Sequence, residues 1–178
     1  MKYILMKKKE MKKVSFVIPC YNSSQTLGKV IAEIQETMGA LNQYKYEIIL
    51  VNDCSPDNTF EVIETLCKES HNICGVNLAK NFGQHGALMA GFHQVTGDIL
   101  VCLDDDGQTP ANEVGKLLEK IEAGDDVVYA SYAHKKHSPF RNFGSFVNEK
   151  MAQFLLGKPK ELYVSSYFAA RRFVVNEM

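Results

Sequence analysis

The chain has no apolar run approaching the ~20 residues that a membrane-spanning helix requires. It has no basic excess either: 20 lysines and arginines face 21 aspartates and glutamates, a formal net charge of -1. That balance speaks against a nucleic-acid surface, which needs a positive stripe or patch. No two of the five cysteines (Cys20, Cys54, Cys67, Cys74 and Cys102) form a CxxC pair. Neither a zinc site nor a disulfide framework is therefore indicated, and reduced thiols of a cytosolic protein are expected. Internal repeats, low-complexity tracts and linkers are all missing. Residues 1–13 (MKYILMKKKEMKK) carry charge but no apolar segment of the signal-peptide kind. They read as a basic tail, either simply solvated or weakly attracted to anionic lipid.

What is present suits one folded domain. Hydrophobic residues make up 46% of the 178 positions, enough for a sizeable core, and the 23% of charged residues excludes wholesale disorder. Short apolar runs at 14–19 (VSFVIP), 46–51 (YEIILV), 73–78, 99–103 (ILVCL) and 127–130 read as five strands. Between the first two, Leu27, Val30, Ile31, Ile34, Met38 and Leu41 recur at helical spacing, with Ser23, Ser24 and Thr26 as candidate N-caps. Further helices are expected near 59–69 and 86–95, the latter packed closely on the sheet because of its alanines and glycines. Another opens at Thr109-Pro110, with Pro110 at the first helical position, and runs to about 123. One more is expected from 143 to 156. The final stretch, ARRFVVNEM, reads as a helix cut short, so the C-terminal part of a longer protein is expected to be missing.

Strands alternating with amphipathic helices predict βαβ units: an α/β fold with a mostly parallel sheet and helices on both faces. Ligands of such sheets bind outside the carboxyl ends of the strands. The candidate site segments are then 20–22, 52–57, 80–85 and 104–108.

Asp104, Asp105 and Asp106 follow the fourth apolar strand directly. Adjacent carboxylates repel unless solvated or neutralised. In an extended segment alternate side chains point the same way, so Asp104 and Asp106 can share a cavity while Asp105 points elsewhere. Such oxygen ligands suit Mg2+ or Mn2+, held by one or two carboxylates together with substrate phosphates. An acidic turn capping the next helix is the other reading. Asp53 after the second strand can accept hydrogen bonds from a base or ribose, or make an Asx turn; Asp57 reads as a turn and cap. Asn81-Phe82-Gly83-Gln84-His85-Gly86 precedes a helix start, where free N–H groups favour anions. Lys135, Lys136 and Arg141 in a polar loop are either a solvated face or a phosphate clamp. His71, His85, His93, His134 and His137 lack metal-ligand spacing and read as structural or surface residues.

Three segments taken in order resemble family 2 glycosyltransferases: VSFVIPCYNSSQTL, EIILVNDCSPDNT and LAKNFGQHGALMAGFHQVTGDILVCLDDDGQTP. The last is most similar to polyprenyl-phosphate sugar transferases. The resemblance runs from about Val14 to Met178 and is specific through Pro110. It implies a GT-A fold, a Rossmann-like three-layer sandwich, over residues 14–178. It also implies metal-dependent transfer from a UDP- or GDP-linked sugar. Pro19, Tyr21, Asn22 and Asp53 would cradle the nucleoside, with Lys80, Asn81 and Gly83 along the nucleotide. Asp104 and Asp105 would face the nucleotide and metal side, and Asp106 with Gln108 would hold the metal. Arg141, with Lys135 or Lys136, would meet donor or acceptor phosphate; Asp104, Asp106 and Arg141 form the implied catalytic set. Related enzymes carry membrane segments after this domain, which places the protein at the cytoplasmic face of the membrane.

The sequence departs from the pattern in several places. The acid usual after Tyr-Asn is Ser23, and the first Asp of an Asp-Asp pair is Asn52. Asp105 stands where a small residue is common, and Gly107 where an apolar one is. The acidic motif expected near residue 163 is replaced by LYVSSYFAARR. With Glu177 the one acid after Tyr163, no general base for a hydroxyl acceptor is in view. A polyprenyl phosphate acceptor, already anionic, needs none. A glycan acceptor and a nucleotide-sugar-binding domain with little activity remain as rival readings. A nucleotidyltransferase is disfavoured, because PCYNSSQT lacks the Gly-rich basic loop. Donor base, sugar and a homo-oligomeric state are left open.

Overall fold

A computed structural model describes residues 11–131 and 165–177. Its sheet is built from β1 (Lys13–Cys20), β2 (Lys45–Asn52), β3 (Ile73–Asn77), β4 (Ile99–Cys102), β5 (Val127–Tyr129) and β6 (Phe168–Arg171). The order is β3-β2-β1-β4-β6-β5. The first four strands pair in parallel. β6 enters antiparallel between β4 and β5, pairing Leu100 with Ala170 on one side and Val128 with Ala169 on the other.

Strand alternation sends the side chains to two cores. Val14, Phe16, Ile18, Ile48, Leu50, Ile99 and Val101 face α1 (Leu27–Ala40), α2 (Thr59–Glu69) and α4 (Val114–Ala123). Val17, Ile49, Val51, Leu100 and Cys102 face the opposite way, with Ala87 of α3 (Gly83–Phe92) and Val175 of α5 (Arg172–Asn176). The result is the expected three-layer sandwich around a mostly parallel sheet.

The helical boundaries differ from expectation for local reasons. α3 opens at Gly83, one turn before Gly86, because its first turn, Gly-Gln-His, has no apolar residue to reveal it. Pro110 is not the first helical residue. It precedes a 3-10 turn (Ala111–Glu113) in an extended conformation, φ -73° and ψ 105°, and α4 begins only at Val114. In ARRFVVNEM the first residues belong to β6 and only Arg172–Asn176 is helical. Two adjacent alanines favour helix, but Ala169 and Ala170 are wholly buried between two strands, and tertiary pairing overrides propensity. Thr26 does sit at the N-cap of α1, yet its hydroxyl makes no capping bond. The helix expected at 143–156 and the loop with Lys135, Lys136, Arg141, His134 and His137 lie outside the described residues.

Below α3, at the amino ends of the strands, a polar cluster replaces the apolar core. Glu47 pairs across from Ser15 and accepts from Lys13 Nζ at 2.5 Å, Ser15 Oγ at 2.5 Å and Thr96 N at 2.8 Å. Burial by itself would raise this carboxyl. The hydrogen bonds from Lys13, Ser15 and Thr96 outweigh it and hold the group below its ordinary value. A depressed carboxyl stabilises the fold above its unfolded pKa, and the contribution disappears as pH falls through the folded value. Glu47→Gln is therefore expected to destabilise by about 1–2 kcal/mol at pH 7. In thermal melts that is a drop of about 3–6 °C. The gap between variant and parent should narrow as the pH is lowered below 4.5.

Candidate active site

The parallel strands run outward from β1 in two directions, to β2 and β3 on one side and to β4 on the other. β1 is the switch point of the sheet. Its pairing with β4 stops at Val17 and Cys102, whereas its pairing with β2 continues to Cys20 and Asn52. The carboxyl ends of β1 and β4 thus diverge into a crevice, where open α/β sheets place their ligands. Each of the four parallel strands is followed by a left-handed residue: Asn22 at φ 57°, Cys54 at 54°, Gly83 at 77° and Gly107 at 69°. Such backbone is rare outside glycine, and it concentrates where a site must be shaped. Gly107 owes its place to this turn, since an apolar side chain would be strained at that φ.

The loop after β1 is held by side chains. Four consecutive N–H groups donate to acceptors from other segments. Tyr21 N reaches Asp105 Oδ2 at 3.0 Å, Asn22 N reaches Ser55 Oγ at 3.2 Å, Ser23 N reaches Thr59 Oγ1 at 2.8 Å and Ser24 N reaches Asp57 Oδ2 at 3.2 Å. Pro19 is buried behind this loop, and the Tyr21 side chain is about half exposed, at 49%. Asp57 also accepts from Thr59 Oγ1 at 2.5 Å and Thr59 N at 3.2 Å, closing the Asx turn that the sequence announced. The Thr59 hydroxyl foremost, with the Ser24 contacts, lowers its carboxyl to about 2.

The acidic triplet divides its attention three ways. Asp104 accepts from Gln84 Nε2 at 3.1 Å and from Ser166 Oγ. Asp105 turns inward, taking Tyr21 N and the Ser23 hydroxyl on one oxygen, and its carbonyl accepts Thr26 Oγ1 at 2.7 Å. Burial foremost, with the neighbouring Asp104 charge, raises the Asp105 carboxyl, against the hydrogen bonds from Ser23 and Tyr21. Asp106 is exposed, and its one hydrogen bond among the described residues comes from Gln108 N at 2.9 Å. Among the described residues no lysine or arginine forms an ion pair with any of the three. Nor is there a cluster of three or more acidic, histidine or cysteine side chains placed to enclose a metal.

The other strand ends complete the rim. Asn52, standing where an Asp was expected, uses both halves of its amide: Nδ2 donates to Asn77 Oδ1 at 2.8 Å and Oδ1 accepts from Ser55 N at 3.2 Å. An aspartate could not donate. Asp53 is 4% exposed and accepts Phe82 N at 2.7 Å, which fixes the entry to α3. The Lys80 ammonium lies 5.0 Å from the centre of the exposed Phe82 ring. Asn81 Oδ1 closes an Asx turn on Gly83 N at 3.0 Å.

The structure therefore gathers Pro19, Tyr21, Asn22, Asp53, Lys80, Asn81, Gly83, Asp104, Asp105, Asp106 and Gln108 along one edge of the sheet. Gln84, Ser23, Thr26 and Ser166 join them, and of these only Gln84 falls in a segment that the sequence marks as a candidate. From the sequence Thr26 reads only as a cap, and Ser23 as a cap and as a departure from the resemblance. Ser166 lies in LYVSSYFAARR, the stretch that stands in place of the expected acidic motif, two residues before β6.

Solved structures share this fold. A mannosyltransferase from Pyrobaculum calidifontis, solved in complex with GDP-Man and Mn2+, matches with a TM-score of 0.67 at 18% identity, over 95% of this chain and 47% of that one. Glucosyl-3-phosphoglycerate synthase from Mycobacterium tuberculosis, in complex with Mn2+, UDP-Glc and phosphoglyceric acid, matches with a TM-score of 0.70 at 19% identity, over 92% and 58%. The fold is the GT-A fold. Residues 15–178 match the model of glycosyl transferase family 2, and the chain belongs to that family. The undecaprenyl-phosphate 4-deoxy-4-formamido-L-arabinose transferase of Yersinia enterocolitica is 41% identical over 170 residues, which is 95% of this chain and 52% of that protein. Its Yersinia pestis counterpart is 39% identical over 168 residues, 94% and 51%. The chain spans about half the length of these curated relatives.

Proposed function

We propose that this chain carries the donor-binding half of an enzyme that transfers a sugar from a nucleoside-diphosphate sugar to a polyprenyl phosphate, with inversion at the anomeric carbon. The observation that carries this reading is the acidic triplet at the switch-point crevice, with Asp106 exposed and unclaimed by any neighbouring element among the described residues. The donor set is all oxygen and lacks a basic partner among the described residues, which fits a hard divalent cation. Asp106, with Asp104 and Gln108 beside it, would hold Mg2+ or Mn2+, which when bound supplies a Lewis acid for the departing diphosphate. Both solved neighbours named above hold Mn2+, and their nucleotide sugars are GDP-Man and UDP-Glc.

The protein residues orient the donor. Asp53 and the Tyr21 loop form the nucleoside end of the rim, and Lys80 stands along the phosphates. Asp104, held by Gln84 and Ser166, faces the ribose and metal side. A phosphate monoester has a second pKa around 6, so the acceptor oxygen arrives anionic and the site requires cations rather than a general base. Lys135, Lys136 and Arg141 supply them in this reading. The curated relatives are named for transfer involving undecaprenyl phosphate, which supports this class of acceptor. Among the described residues no helix is long and apolar enough to cross a membrane. The chain works where its lipid acceptor lies, at the cytoplasmic face of the membrane.

Calorimetry with UDP and GDP, each with and without Mn2+, tests the donor half. One nucleotide should bind, and only with the metal. Incubating the intact protein with a radiolabelled sugar nucleotide should send the label into the polyprenyl phosphate fraction. Label appearing only in an added glycan would overturn the acceptor, and metal-independent nucleotide binding would overturn the site.

A further inference from the structure

Two side chains on opposite sides of the switch point, Ser23 after β1 and Asp105 after β4, are in direct contact. The Ser23 hydroxyl donates to the Asp105 carboxylate, which also accepts Tyr21 N on the same oxygen. We propose that Asp105 is a positioning residue that ties the loop after β1 to the acidic turn after β4. The inference rests on the donor-site reading above and deepens it.

The hydrogen bonds of the loop carry the case. Of its four captured N–H groups, those of Asn22, Ser23 and Ser24 are held by Ser55, Thr59 and Asp57, all between β2 and the start of α2. The side-chain bonds from this loop that cross the switch point to β4 all end on Asp105: from Tyr21 N, Ser23 Oγ and Thr26 Oγ1. β1 and β4 no longer pair at this level. One residue therefore sets the distance between the Tyr21 side of the crevice and Asp104 and Asp106. A carboxylate carried at either position 23 or position 105 can span the gap. Two carboxylates repel there, and with none the Tyr21 N–H loses its acceptor.

The test is a swap in the intact protein: Ser23→Glu, Asp105→Ser, and the two together. Each single variant should weaken Mn2+-dependent nucleotide affinity about tenfold, corresponding to the loss of about one charged hydrogen bond. The double variant should recover to within about threefold of the parent. In transfer kinetics the singles should raise KM for the donor more than they lower kcat. Strictly additive losses in the double variant, or an unchanged affinity in Asp105→Ser, would overturn the proposal. A second readout needs no ligand. These 178 residues contain no tryptophan, so in a protein of this chain alone Tyr21→Trp introduces a single emitter into the loop. Its fluorescence anisotropy should fall in Asp105→Ser and return in the double variant. If the parent binds no nucleotide, the donor-site reading fails while this readout still decides whether Asp105 holds the loop.

Discussion

Replacing Asp106 with asparagine is expected to reduce sugar transfer by two to three orders of magnitude while leaving the fold intact. Asp106 is exposed, and its Oδ1 accepts one short-range bond from Gln108 N, which an asparagine oxygen can also accept. The thermal midpoint should therefore move by no more than about 2 °C, as for a surface substitution. On the proposed reading, the substitution removes a negatively charged oxygen ligand from the point where the leaving diphosphate would gather charge. Lewis-acid stabilisation of that charge contributes several kcal/mol, and each 1.36 kcal/mol corresponds to about a factor of ten in rate. Mn2+-dependent nucleotide affinity measured by calorimetry should fall with the rate, because the same carboxylate serves ground state and transition state. Survival of both quantities unchanged would remove Asp106 from the metal site. Asp105→Ser should behave differently, raising KM rather than abolishing turnover, so the neighbouring acids separate by their kinetic signatures.

The largest effect on stability is expected at Gly91. This residue is buried where α3 lies on β1 and β2. A Cβ added there would come within 3.1 Å of Val51 Cγ2 and nearer still to Val17 Cγ1. Both valines sit in central strands of the sheet and have no room to withdraw. Gly91→Val should destabilise by about 3 kcal/mol or more, at the upper end of overpacking costs, lowering the thermal midpoint by about 10 °C. Gly91→Ala gains helix propensity worth up to about 1 kcal/mol against its smaller clash, so its loss should be visibly less. Gly39 in α1 is the control. It has nothing within 4 Å of an added Cβ, and Gly39→Ala should raise the midpoint slightly. A melt in which Gly91→Val matches the parent would mean that α3 does not rest on the sheet as described.

Much of this was readable from the residues. The five apolar runs lie on five of the strands because an isolated β-rich run between amphipathic segments has little else to do. The rule that ligands gather at the carboxyl ends pointed to segments that the structure brings together along one edge of the sheet. The close packing at Gly91 was visible as an alanine- and glycine-rich helix. What escaped depends on long-range pairing. β6 contains two alanines and no β-branched residue, so nothing local marks it as a strand; its conformation comes from β4 and β5 on either side. Ser166 went unseen with it. The allocation of the three aspartates was half legible. Alternation turns Asp105 away from its neighbours, but its binding to Tyr21 and Ser23 depends on where β1 and β4 part company. The substitutions at Asn52 and Gly107, departures on paper, have local causes: an amide that must donate as well as accept, and a turn at φ 69°.

The antiparallel insertion of β6 also orders events in time. β1 to β4 can zip together as the chain emerges from the ribosome, each new strand finding a neighbour already made. β5 cannot join the sheet until β6, much later in the sequence, slips in beside β4. Sequence-distant pairing of this kind is slow to form. The same late strand brings Ser166 up to Asp104. Asp104 thereby acquires this partner only after the parallel part of the sheet can exist, and a nascent polypeptide has four strands available before that edge is complete.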